Sequence, residues 1–255
     1  MATRRKGDQS PDGYRPDDFP RFAVTVDVVI LTIADGQLKV LLVRRGGDPY
    51  KGAWALPGGF KRPDESLDAA AARELREETG VDTARRLTQF GTYGDPDRDP
   101  RMNVVTVGYF AVLPDIGTVT AGTDAADAAL CSVAEVAGGR LELAFDHRRI
   151  VTDAVERAGT DLETSDLATA FVGPEFTLSQ LRAVYEAVWV TTFDAANFRR
   201  SLLTEELVMP TGRRAPSGSE GGRPPELYTA SPEWAERSPV SRPRKTVTSK
   251  PQPER

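Results

Sequence analysis

Histidine and cysteine are almost missing from this chain of 255 residues, which has one of each, His147 and Cys131. A single cysteine excludes an intrachain disulfide framework and suits a reducing compartment. A single histidine excludes a zinc site built on clustered imidazoles. It also leaves one candidate for a Ser-His-Asp triad, with no nucleophile motif beside it. Within Phe145-Asp146-His147-Arg148-Arg149 that histidine is expected to cap or pack the start of a helix. No apolar run reaches membrane-spanning length, and the Arg- and Pro-rich start has no signal-peptide core. A cytoplasmic protein with no membrane partner is expected. A hydrophobic share of 39% beside 28% charged residues is ordinary for a globular protein. The length allows one core plus a second small unit. The net charge of -5 is uneven: residues 174–255 hold 12 of the 33 Lys+Arg and 10 of the 38 Asp+Glu, giving +2, and the remainder carries -7. That shift alone does not argue for nucleic acid.

Glutamate, by contrast, is present in a definite pattern. Gly59 to Val81 reads GFKRPDESLDAAAARELREETGV. It fits G-x5-E-x7-R-E-(aliphatic)-x-E-E-x-G-(aliphatic) at Gly59, Glu65, Arg73, Glu74, Leu75, Glu77, Glu78, Gly80 and Val81. Asp64 to Thr79 favour a helix, with Ala69 to Ala72 at its centre and Gly80 as its stop. Leu67 and Leu75 are expected to face the core. Glu74, Glu77 and Glu78 stand at i, i+3 and i+4, so their carboxylates share one face. Three clustered carboxylates repel one another unless a cation sits among them. Oxygen-only ligands suit a hard ion, Mg2+ or Mn2+, rather than zinc. Pro57-Gly58-Gly59 lets backbone approach closely, so the Gly58 carbonyl is a candidate fourth metal ligand. Arg73 lies beside the acidic face, and Glu65, two turns earlier, is placed to pair with it. A merely solvated acidic helix is the competing reading.

This stretch resembles the signature of the Nudix hydrolases at every fixed position. The resemblance implies hydrolysis of a nucleoside diphosphate linked to another group, by water attacking phosphorus with metal assistance. Carried over, Glu74, Glu77 and Glu78 hold metal, and Glu65 and Arg73 form a structural and electrostatic pair. The general base is not marked; Glu78 is one candidate, and Asp124 and Asp127, in what reads as a later loop, are others.

Along the chain, residues 1–18 are polar and expected to be disordered. Arg21 to Ile33 and Leu38 to Arg44 read as strands joined by the hairpin signal Ala34-Asp35-Gly36-Gln37. Leu87 to Tyr93 and Val104 to Leu113 read as further strands, and Ala144 to Ala158 as a helix. A mixed sheet flanked by helices follows, an α/β/α sandwich with the Gly59–Val81 helix against the sheet, which matches the Nudix fold over about residues 19–160. In the loop Gly94 to Asn103, Pro96 stands fifteen residues beyond the box, a feature of Nudix enzymes acting on ADP-ribose. Arg98 and Arg101 in that loop are candidate phosphate ligands, with a solvated loop as the alternative. Trp54 is a candidate for stacking on a base, with core packing favoured.

Ala158 to Asp166 reads as a polar connector to a second unit over about 170–230. There Thr177 and Gln180 form a capping box ahead of Leu181, Val184, Tyr185 and Val188, with Phe176 as a staple residue. Asp194 caps a second helix whose Phe198 and Leu202 share one face while Asn197, Arg199 and Arg200 decorate the rest. Helix, short turn, helix with exposed Asn and Arg is a helix-turn-helix arrangement. Leu207 to Met209 and Glu226 to Tyr228 read as wing strands. The residues from Ser231 to Arg255 read as a disordered basic tail.

The order FTLSQLRAVYEAV, DAANFRRSLL, GRPPELY after a complete Nudix box resembles the NrtR-like bacterial regulators of NAD metabolism, a Nudix domain followed by a C-terminal winged helix-turn-helix domain. The resemblance implies a homodimer on a palindromic operator, with ADP-ribose or a related nucleotide shifting DNA affinity. Asn197, Arg199 and Arg200 would meet the major groove or its phosphates, and Arg223 in the wing a minor groove or backbone. Such regulators often have eroded boxes, whereas this box is intact, so retained hydrolysis is expected. The alternatives are a metabolic Nudix hydrolase, cleaving ADP-ribose or a nucleoside-diphosphate sugar, with an accessory C-terminal domain, and a sugar-responsive regulator of the same architecture.

Overall fold

A computed structural model describes residues 15, 18–82, 87–116, 125–216, 224–236 and 240–243. The expected hairpin is present as β1 (Ala23–Ala34) and β2 (Gln37–Arg45), paired from Leu31↔Val40 to Ala34↔Gln37. Asp35 and Gly36 both have positive φ, 53° and 68°, the backbone a two-residue hairpin turn requires. Two short strands, β3 (Trp54–Ala55) and β4 (Gly58–Phe60), follow, then helix α1 (Leu67–Thr79) and strands β5 (Thr88–Tyr93) and β6 (Val104–Val112). Strand β7 (Ala125–Ser132) was not anticipated, because the residues around Asp124 and Asp127 carry little β-branched character; Asp127 is therefore on a strand, opposite Arg44 of β2. Asp124 lies outside the described residues.

The sheet runs β3-β2-β1-β6-β5, with β4 also on β1 and β7 also on β2. Only β1 and β6 pair in parallel among these described pairs, which makes the sheet mixed. Strand β1 is buried on both faces, and its side chains alternate between two cores. Val28 and Ile30 pack on Ala70, Ala71 and Leu75 of α1, with Leu67 against the same cluster. Val29 and Leu31 face the opposite core.

Helix α1 starts three residues later than expected. Ser66, in extended conformation, is its N-cap and accepts from the Ala69 N–H, so Glu65 precedes the helix and is free to fold back. Gly80 (φ 72°) ends it, as its position requires. After the short helix α2 (Val133–Ala137) comes α3 (His147–Thr164), which overrides the connector expected at Ala158 to Asp166. The reason is burial: Ala158 and Leu162 are inaccessible and belong to the same core as Ile150, Val151 and Ala154. Helix α4 (Leu167–Ala170) leads into α5 (Leu178–Trp189) and α6 (Ala195–Thr204), then the ribbon of β8 (Val208–Arg214) and β9 (Glu226–Ala230). The capping box is formed: the Gln180 N–H donates to Thr177 Oγ1 (3.2 Å), and the Thr177 N–H donates to Gln180 Oε1 (2.8 Å).

The sheet, α3 and the winged-helix elements share one core, in which Val29, Leu42 and Val112 of the sheet join Leu162, Leu181, Val184, Tyr185, Phe198 and Tyr228. The residues after Ser231 depart from the expected tail as far as they are described. Pro232–Glu236 forms a 3-10 turn, Trp234 is fully buried in the shared core, and Arg242 reaches Glu156 of α3 at 2.8 Å. An indole removed from water outweighs the Pro- and Ser-rich composition around it. The remaining tail and the arm over 1–18, apart from residues 15 and 18, lie outside the described residues. Among the described residues no helix is long and apolar enough to cross a membrane.

Candidate functional site

Strand β4 packs closely through Gly58 and Gly59. A side chain at Gly58 would place Cβ 2.2 Å from the Val26 carbonyl and 2.8 Å from Asp27 Oδ1; one at Gly59 would lie 2.5 Å from Glu74 Oε1. At Gly58 only glycine lets β4 lie this close to the β1 backbone, whereas at Gly59 the neighbour is the movable end of the Glu74 side chain. The Gly58 N–H donates to Glu78 Oε2 at 2.9 Å. Gly58 and Glu78 line one wall of a cavity of about 260 Å3, with Asp27, Arg98, Asp99, Arg101, Phe145 and His147 around the rest.

Arg73, with 10% side-chain exposure, is a hub, of which the sequence suggests only the pairing with Glu65. Its Nε donates to Glu65 Oε2 (2.9 Å) and its Nη2 to Glu65 Oε1 (2.6 Å), a bidentate pair. This hydrogen bonding to Arg73, then that from the Arg62 N–H, holds the Glu65 carboxyl down at about 2. Arg73 Nη1 also donates to Glu74 Oε1 (2.6 Å) and Glu77 Oε2 (3.1 Å). Arg73 thus draws Glu74 and Glu77 toward itself while Glu78 turns to Gly58. Among the described residues no three acidic, histidine or cysteine side chains stand together ready to hold a metal, so the expected cluster shares a helix face without converging.

The donor chemistry nevertheless fits a hard divalent ion. Burial is the largest cause raising the Glu78 carboxyl to about 7, opposed by the Gly58 N–H and reinforced by Glu74 and Asp27. Burial likewise raises Glu74, against the pull of Arg73. Buried carboxylates whose charge is under-compensated gain most from a nearby cation. Glu74 and Glu77 would have to turn from Arg73 to join Glu78 around it.

The loop arginines divide. Arg98 is not solvated: its side chain is 5% exposed and grips Asp146, the residue before α3, through Nη2 (2.6 Å) and Nε (3.1 Å), with Nη2 3.6 Å from Asp27. Arg101 is more open, pairs bidentately with Asp99, and lies over the rings of Phe60 and Phe145. Both line the cavity. Trp54 does not; it packs against the core and bridges to Leu143, which leaves base stacking in this cavity without support. Asp127 is likewise not among the lining residues.

His147 begins α3 and packs there, as expected, but it is also cavity wall. Its Nδ1 accepts the Leu56 N–H at 2.9 Å, and burial holds its pKa below the usual imidazole value. A neutral ring accepting at Nδ1 carries its proton on Nε2, 3.4 Å from Asp27 Oδ1. Asp27 is a cavity residue that no motif spacing marks. Its signal was available: an acid inside the β-branched run Val24 to Ile33, which has to be buried. Asp99 and Phe145 gave no comparable signal, being loop residues that only the fold brings to the cavity.

On the second unit, Asn197, Arg199 and Arg200 are exposed on α6 while Phe198 and Leu202 are buried. Arg199 leans toward the ribbon, 4.0 Å from Glu226 and over the ring of Tyr228. Arg213 and Arg214 of β8 were not singled out from sequence; Arg213 pairs with Glu175, and Arg214 donates to the Pro224 carbonyl. Arg223 lies outside the described residues.

Residues 21–154 match the family model of the NUDIX domain, and residues 168–230 that of the NrtR DNA-binding winged helix domain. The ADPR responsive transcriptional repressor NtrR of Acinetobacter baylyi is 33% identical over 217 residues, 84% of either chain. The ADP-ribose pyrophosphatase of Methanocaldococcus jannaschii is 38% identical over 132 residues, 51% of this chain and 72% of that enzyme. Shewanella oneidensis NrtR, solved with a 27mer DNA, superposes with a TM-score of 0.70 at 32% identity, covering 86% of this chain and 99% of the other. The NUDIX domain of that same protein, solved with ADP ribose, gives a TM-score of 0.52 at 38% identity over 57% of this chain and 94% of the domain. With both domains matched in the same order and the similarity continuous across them, the chain belongs to the NrtR family of Nudix proteins.

Proposed function

We propose that the chain is a transcriptional repressor whose affinity for operator DNA is set by ADP-ribose or a related nucleotide, and that its Nudix domain retains divalent-metal-dependent diphosphatase activity. The observation that supports this most is the joint itself. A Nudix cavity and an NrtR-type winged helix are built on one continuous core, and relatives with both domains include an ADPR-responsive repressor and a protein solved on DNA. A homodimer would present two α6 helices to a palindromic site. Such a protein acts in the cytoplasm, with the chromosome.

Glu78 and Gly58 line the cavity and Glu74 and Glu77 stand beside it on α1; these three carboxylates, with the Gly58 carbonyl, are the residues that would hold Mg2+ or Mn2+. When bound, such an ion neutralises a diphosphate and lowers the pKa of water. Arg73, fixed by Glu65, holds Glu74 and Glu77 until an ion draws them to Glu78. Arg101, the more open loop arginine, is suited to a phosphate, whereas Arg98 would first have to leave Asp146. Of the general-base candidates, Glu78 lines the cavity and Asp127 does not. On the second unit, Asn197 and Arg200 are the groups most open to a groove, Arg199 links the recognition helix to the wing, and Arg223 remains the wing candidate.

A second reading, a metabolic ADP-ribose diphosphatase with an accessory domain, is favoured by the complete Arg73–Glu65 brace and by the archaeal pyrophosphatase. One experiment separates the two: a nucleotide panel with Mg2+, scoring hydrolysis and DNA binding in the same samples. The regulator reading expects ADP-ribose to lower affinity for a selected duplex. DNA binding that is absent, or indifferent to every nucleotide, selects the metabolic enzyme. Glu78→Gln should reduce hydrolysis by about a hundredfold or more, ~3 kcal/mol of barrier, with the fold intact. Unchanged turnover would remove Glu78 from the site.

A further inference from the structure

Helix α3 belongs to both functional halves of the molecule. Its first turn is cavity wall. His147 is held by the Leu56 N–H and stands against Asp27, while Asp146, immediately before it, grips Arg98. Arg98 therefore sits between two competing acids, bonded to Asp146 and 3.6 Å from Asp27, at the edge of the cavity. A diphosphate entering there adds negative charge next to Asp27 and offers the Arg98 fork a second bidentate partner in competition with Asp146. Arg98 cannot be bidentate to both. A ligand that draws it from Asp146 changes the contacts at the start of α3.

The other half of α3 is clamped to the winged helix. About 18 Å along the helix from His147, the Gly159 carbonyl accepts the indole N–H of Trp189, on α5, at 3.0 Å. From Trp189 a run of aromatic contacts continues to Phe193 (6.2 Å between ring centroids) and on to Phe198 of α6 (5.8 Å). Glu156, one turn before Gly159, also holds Arg242 of the C-terminal segment. Between the two ends, Ile150, Val151, Ala154 and Ala158 are packed in the shared core, whose low compressibility passes strain along the helix.

We propose that α3 is the lever between the two sites: ligand phosphate exchanges Asp146 for itself on Arg98, and the resulting shift of α3 reaches α6 through the Gly159–Trp189 hydrogen bond. The lever rests on the functional reading above, since it needs a nucleotide in the cavity and DNA on α6. Its physical content is a differential contact, the Arg98 partner, at one end and a directional bond at the other.

The test uses the full-length chain, a duplex selected from a random library by that chain, and ADP-ribose with a chelator so that the nucleotide persists. Fluorescence anisotropy gives duplex affinity with and without ADP-ribose, and their ratio is the coupling. The wild-type ratio should be about tenfold. Trp189→Phe keeps an aromatic ring but removes the N–H donor. It should bring the ratio to within about twofold of unity while leaving ligand-free duplex affinity and ADP-ribose affinity nearly unchanged. A bond that merely stabilises the fold would lower Tm and leave the ratio intact, and that result overturns the lever. If the wild-type chain itself shows no response, the functional reading fails and the lever with it; if wild type and Trp189→Phe respond equally, only the lever fails. Should Trp189→Phe not fold, Thr152 replaces it as the site. It is exposed in the middle of α3, so Thr152→Gly should soften the helix and cut the ratio, and Thr152→Ala should preserve it. Equal ratios in that pair overturn the proposal.

Discussion

In the Nudix half the Arg73–Glu65 brace and the β4 backbone at Gly58 are closely held, whereas Asn197, Arg199 and Arg200 on α6 stand in solvent. Arg73 makes short contacts to three carboxylates and is 10% exposed, and Gly58, without room for a Cβ, lies against the β1 backbone. Arg199, over half exposed, touches the ribbon at Glu226 (4.0 Å) and over the Tyr228 ring, and Asn197 and Arg200 stand out from the helix. The contrast teaches where precision is needed. Site chemistry in general needs its supporting groups held closely, and Arg73 and Gly58 are packed accordingly. Long-range attraction to a phosphate backbone tolerates mobile arginines, which can settle when DNA arrives.

The sharpest way to break this comparison is at Gly58. Gly58→Ala pushes a methyl group against the Val26 backbone carbonyl, which cannot swing aside, and should cost about 3 kcal/mol in chemical unfolding. Wild-type stability in that variant would mean that the β1–β4 approach is slack and the Nudix half is not closely held. Arg200→Ala is next: the fold should stay intact, and duplex affinity should fall by about 1–3 kcal/mol if the side chain reads a base edge. A uniform loss over all sequences, with a shallower salt dependence, would instead assign Arg200 to phosphate. Undiminished affinity in Arg199→Ala combined with Arg200→Ala would remove α6 as the recognition helix.

The smallest expected effect concerns pH. The Glu65 carboxyl lies at about 2 in the folded chain, below the ordinary 4.5, chiefly through its hydrogen bonds from Arg73. A depressed carboxylate contributes stability that is full above 4.5 and disappears as pH falls from there through 2. Unfolding curves of wild type and Glu65→Gln should therefore differ above that window and converge within it. A difference that persists unchanged at the acid end would show that Glu65 acts through packing rather than through its charge.

Much of this was readable in advance wherever the determinant is local. The i, i+3, i+4 spacing of Glu74, Glu77 and Glu78 holds on any α-helix, Thr177 with Gln180 makes its cap from within four residues, and Asp35-Gly36 suits the turn it occupies. The polar residues of Ala158 to Asp166 suggest a connector because they mark the solvent face of α3; Ala158 and Leu162, one helical turn apart on the other face, are buried by elements far away in the chain. The Ser231 segment suggests a tail for the same reason, since one Trp in a Pro- and Ser-rich stretch reveals a core only when that core is known.

By itself, then, the sequence determined the family, the acidic face of α1, the Glu65–Arg73 pair and the two-helix plan of the second unit, because each is written in short spacings that backbone geometry converts directly into neighbours. Only the tertiary structure decided that Arg73 gathers Glu74 and Glu77 while Glu78 turns to Gly58, that Asp27, Arg98 and His147 meet at one cavity, and that both halves are welded along α3. Those contacts join residues from separate strands, loops and helices, so they are set by which surfaces the sheet buries and not by any spacing along the chain.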